Sequence, residues 1–80
     1  MKKSQRIENA VYALMYKAIP WWEYEEDQES TVCQFAKDVQ LNYEIGGAAD
    51  ALDLLKELKP WCEDTDLESR YNAVVALIKQ

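Results

Sequence analysis

The residues able to do chemistry in this chain are few and their spacing is restrictive. No histidine is present. That removes Ser-His and Cys-His nucleophile pairs, imidazole zinc sites and the side chain best suited to proton transfer near neutral pH. Cys33 and Cys62 are the only thiols, too few for a four-thiolate metal site. The two glycines are adjacent, Gly46-Gly47, so no Gly-rich phosphate cradle exists. Carboxylates are abundant, and Glu25 with Glu29, or Asp50 with Asp53, can share a helical face. Acid–base work needs a cleft that raises one pKa, and a small domain has little volume for one. Asp64-Thr65-Asp66 has a faint likeness to a calcium loop but lacks its glycine and distal glutamate, so helix capping is the expected role. The reading is of a protein that is not an enzyme and holds no cofactor or metal.

What remains is chemistry of recognition. Between Ala18 and Ala36 there is no Lys or Arg, yet Trp21, Trp22 and Tyr24 stand beside Glu23, Glu25, Glu26, Asp27 and Glu29. Neighbouring Trp residues cannot both point inward in regular structure, so one is expected in the core and the other partly exposed. An exposed Trp with Tyr24, ringed by carboxylates, has the makeup of a binding hot spot. A solvated loop explains the acids equally well. A second acidic group, Asp50, Asp53, Glu63, Asp64, Asp66 and Glu68, extends the candidate surface, although acids opening a helix also suit its dipole.

The chain has 80 residues and a formal charge of −6, with a sequence pI near 4.5. Such a surface repels nucleic acid and anionic membranes and attracts basic proteins. Of the basic residues only Lys2, Lys3 and Arg6 cluster, at the N-terminus. The expected partner is therefore a larger protein with a basic surface; no direct nucleic-acid or membrane contact is expected, and a homodimer is possible. No continuous apolar segment opens the chain, so a reducing, cytoplasmic setting is expected, with Cys33 and Cys62 as small hydrophobes rather than a disulfide.

The elements that must position these residues are helical. Ile7, Ala10, Val11, Leu14, Met15 and Ala18 form one stripe, flanked by Tyr12 and Tyr16, with Ser4 as N-cap, Lys17 near the C-terminal end and Pro20 as terminator. Thr65-Asp66-Leu67-Glu68 has the form of a capping box ahead of Leu67, Tyr71, Val74, Val75 and Ile78. A third stripe, Ala51, Leu52, Leu55 and Leu58, follows the Gly46-Gly47 break and closes at Pro60, with Trp61 sealing that end of the bundle. A short connection makes the last two helices an antiparallel hairpin. Val32, Phe35, Ala36 and Val39 favour a helix capped by Ser30, with 41–45 extended. The prediction is an all-α bundle of three to four helices over about 4–19, 30–40, 48–59 and 66–79, with an acidic Trp-rich connection. The alternative is an α+β fold with a hairpin within 31–45. Residues 1–80 form one domain in this reading.

Thr31-Val32-Cys33-Gln34-Phe35-Ala36-Lys37-Asp38-Val39-Gln40-Leu41-Asn42 resembles the first half of a helix-turn-helix, as in winged-helix transcription regulators. Ala36 takes the small-residue position; Phe35, Val39 and Leu41 take core positions; Asp50 to Leu58 resembles the end of a recognition helix. The resemblance implies a transcriptional regulator or accessory subunit. The segment departs from it by the glycine interruption and by offering Lys37 as its single base. By size and charge the chain is also similar to phage-encoded inhibitors of host defence or transcription, including anti-CRISPR and DNA-mimic proteins. That likeness implies an inhibitor occupying a nucleic-acid-binding surface.

Overall fold

The computed structural model describes residues 2–18 and 28–80. Four helices appear among them: α1 Lys3–Ala18, α2 Gln28–Leu55, α3 Lys59–Cys62 and α4 Glu68–Lys79, with a 3-10 turn at Lys56–Leu58 between α2 and α3. No strand forms among the described residues. The fold is a small all-α bundle, as the periodicities predict, and the hairpin alternative within 31–45 is not needed.

Each helix forms because its apolar spacing matches one turn of helix. Ile7, Val11, Leu14 and Met15 of α1 are buried and Ala10 packs at their edge. Lys17 stands in the last turn of α1, where its charge suits the exposed carbonyls. From α2 come Val32, Ala36, Val39, Ala51 and Leu55; from the 3-10 turn and α3, Leu58 and Cys62. Leu67, Tyr71, Val74 and Ile78 of the final hairpin arm complete the same cluster. α1 lies along α2, and α4 packs against both.

The segment 41–45 is helical, not extended. No Gly or Pro interrupts the chain between Gln28 and Ile45, so the ladder continues through it. Val39 stays buried and Tyr43 packs beside the core, which keeps the stripe at i, i+4; Leu41 and Ile45 face water, with Ile45 84% exposed. The helix also runs through the point where a helix-turn-helix would turn, and Leu41 is not a core residue. α2 bends instead at Gly47, whose φ of 82° and ψ of −166° only glycine adopts readily.

Several end signals act differently from expectation. Ser4 is not an N-cap: it lies inside α1, 7% exposed, and its Oγ donates to Glu44 Oε1 at 2.9 Å. Lys3 beside it places Nζ 5.5 Å from the centre of the Tyr43 ring and donates to the Gln80 carbonyl oxygen. The start of α1 is thus tied to mid-α2 and to the end of α4. Ser30 is no cap either, because α2 opens at Gln28. Pro60 does not close a helix but sits in the first turn of α3, where its missing N–H is not required. Trp61 does not seal the bundle; it is 43% exposed, while Leu58 and Cys62 turn inward. Tyr12 packs on the core edge, whereas Tyr16 is exposed and stacks on Tyr12 with ring centres 5.9 Å apart. Pro20 lies outside the described residues.

Candidate functional site

Trp21, Trp22, Glu23, Tyr24, Glu25, Glu26 and Asp27 lie outside the described residues; Glu29 falls on the first turn of α2, where only the backbone is described. The opposing expectations for the two Trp residues rest on sequence alone.

The second acidic group is described in full, and all six residues are exposed. Asp50 and Asp53 stand on the arm of α2 beyond Gly47, three residues apart. Asp50 lies over Gly46, close enough that a Cβ placed on Gly46 would overlap its carboxylate. Asp53 Oδ1 meets Lys56 Nζ at 3.5 Å, the one ion pair formed among the described residues. Both partners are well exposed, so the pair contributes less than about 1 kcal/mol.

Glu63, Asp64, Asp66 and Glu68 occupy the connection from α3 to α4 and the first residue of α4. The connection is organised by its own side chains. Glu63 turns to extended backbone at ψ 135°, which ends α3, and Asp64 then takes φ 61°, a left-handed conformation that Asp tolerates better than most residues. Thr65 Oγ1 donates to the Cys62 carbonyl oxygen at 2.6 Å and accepts from Leu67 N–H at 3.0 Å. Asp64 N–H donates to Glu68 Oε2 at 3.1 Å. This is not the predicted capping box, in which Glu68 would return to Thr65 N–H: the hydroxyl reaches two residues ahead and the carboxylate four residues back. α4 consequently opens at Glu68 rather than Asp66. Glu68 holds the turn and Asp53 pairs with Lys56, which leaves Asp50, Glu63, Asp64 and Asp66 as the further exposed acids of this group.

No group of three or more His, Cys, Asp or Glu residues among those described is placed to hold a metal ion. Cys33 and Cys62 are free thiols, the first half-buried and the second buried. Burial pushes the Cys62 thiol up, and burial followed by the nearby Cys62 pushes the Tyr71 phenol up. Both groups are held in their neutral forms, as core residues and not as nucleophiles. No helix among the described residues is long and apolar enough to cross a membrane.

The structure also assembles a feature that reading by segments does not find. A groove of about 370 Å³ runs between the end of α2 and α4, with Leu52, Tyr71 and Val75 along it and Lys56, Lys59, Lys79 and Asn72 around it. Scanning for basic runs misses it because Lys79 is remote in sequence. Lys56 and Lys59 stand three residues apart, but nothing in the sequence brings Lys79 to them. A smaller groove of about 220 Å³ between α1 and α4 is bordered by small residues, Ala10, Ala13 and Ala73, with Arg70 as its charged group.

No protein-family model, curated protein or solved structure matches this chain.

Proposed function

We propose that the chain is a non-enzymatic protein-binding module that docks on a basic, nucleic-acid-binding surface of a larger partner, acting as an inhibitor of the phage anti-defence or DNA-mimic kind. The observation that carries the reading is the stretch from Ala18 to Ala36, in which five acids stand beside Trp21, Trp22 and Tyr24 with no balancing base. In this reading the helices are a carrier. Their core is built from residues such as Ile7, Val11, Val39, Leu55 and Ile78, and the exposed acids Asp50, Glu63, Asp64 and Asp66 add to a net charge of −6.

The mechanism divides the work between two forces. Long-range attraction raises the encounter rate with a cationic surface by about 10–1000-fold at low salt. The exposed member of the Trp21–Trp22 pair, with Tyr24, supplies the short-range anchor, since aromatic hot spots each contribute about 2 kcal/mol or more when desolvated. The same field repels polynucleotide, so the module competes with nucleic acid for the partner and does not bind it. The test replaces Glu23, Glu25, Glu26 and Asp27 by their amides together. Capture of the partner should be lost with the helical circular dichroism intact; undiminished capture would reject this surface. A gel shift at low salt separates the helix-turn-helix reading, which requires measurable affinity for duplex DNA.

A further inference from the structure

The groove between α2 and α4 reverses the chemistry of the rest of the molecule. In a chain with nine basic and fifteen acidic residues, three lysines border a single apolar depression: Lys56 on the 3-10 turn, Lys59 at the start of α3 and Lys79 at the end of α4. All three are exposed, Leu52 and Val75 are half-buried, and Tyr71 is 8% exposed at the base. The one carboxylate shown beside these lysines is Asp53, 3.5 Å from Lys56 Nζ. The volume lies at the small end of the range for ligand sites, about 300–1000 Å³. An apolar floor with cationic edges complements one kind of molecule, a small amphiphile with a compact hydrocarbon body and an anionic head. We propose that this groove binds a small amphiphilic carboxylate, its hydrocarbon against Leu52, Tyr71 and Val75 and its head among Lys56, Lys59 and Lys79. None of the residues lining the groove belongs to the stretch from Ala18 to Ala36.

Octanoate is the probe, followed by two-dimensional amide NMR of the full chain at low ionic strength. It should shift the amides of Leu52, Lys56, Tyr71, Val75 and Lys79 saturably. The neutral 1-octanol and the tail-less dianion glutarate should each bind at least roughly tenfold more weakly, because each lacks one of the two contacts. Replacing Lys56, Lys59 and Lys79 together by Gln should weaken octanoate by roughly ten- to a hundredfold, the combined effect of three exposed charge contacts, while Arg at the same three positions retains it. Asp53→Asn, which releases Lys56, should tighten binding by about twofold. Equal affinity for octanoate and either control ligand would overturn the proposal, and so would unchanged binding by the Gln variant. A dimer abolished by the Gln variant would overturn it too, by making a second copy the occupant.

Discussion

Gly47 fixes the direction of the arm that carries Asp50, Asp53 and one wall of the lysine-edged groove, and its replacement gives a sharp test of the fold. At φ 82° and ψ −166° it lies in a region that residues with a side chain enter at a cost of about 1–3 kcal/mol. A Cβ added there meets nothing within 4 Å, so the cost is backbone strain with no steric part. Gly47→Ala also restricts the unfolded chain, which returns about 0.4–1 kcal/mol. The net loss is about 1–2 kcal/mol, a fall of roughly 5–15 °C in melting temperature for a domain of this size. D-alanine at position 47, introduced by chemical ligation, reverses the sign. For a D-residue this backbone is the mirror image of ordinary extended conformation, and the entropic benefit remains. Thermal unfolding followed at the helical circular-dichroism minimum measures all three chains. The order D-Ala, Gly, L-Ala from most to least stable is expected; equal midpoints for the two alanine enantiomers would refute the kink at Gly47.

Other consequences follow from single contacts. Leu55→Ala, at a position with no exposure, should cost about 2–5 kcal/mol out of a total near 4–8 kcal/mol, read as a lowered urea midpoint. Ser4→Ala should cost about 0.5–1.5 kcal/mol through the lost bond to Glu44, and Glu44→Gln, which keeps an acceptor, should cost less in the same assay. With a thiol reagent, native Cys33 should react well before Cys62, which should react only as the chain unfolds; equal rates would contradict the burial of Cys62. Because burial raises the Cys62 and Tyr71 pKa values in the folded state, the native form holds these protons longer than the unfolded one. Their stabilising contribution is complete below the ordinary thiol value of 9.0 and declines as pH rises beyond it and beyond the ordinary phenol value of 10.0. Cys62→Ala should make the alkaline decline shallower in urea titrations.

The buried stripes of α1 and α4 were legible because apolar residues at helical spacing have few alternative uses. The stretch 39–45 was not, because Val39, Leu41, Tyr43 and Ile45 alternate as a strand would, and an apolar residue facing water looks in sequence like one facing the core. Ile45, 84% exposed, shows the ambiguity. Local chemistry also has more than one destination: Ser4 carries a capping hydroxyl yet spends it on Glu44, forty residues away. The acidic cluster at 23–29 was visible because charge and aromatic content are properties of composition. The lysine-edged groove was not, because it exists only once α2 and α4 pack together.

The docking account is tested most directly by purification of partners from the native source. The wild-type chain and the variant carrying Glu23→Gln, Glu25→Gln, Glu26→Gln and Asp27→Asn are compared side by side, with duplex DNA as competitor. The account predicts a basic nucleic-acid-binding protein that is retained by the wild type, released by DNA and not retained by the variant. The same proteins on both baits, undisturbed by DNA, would contradict it.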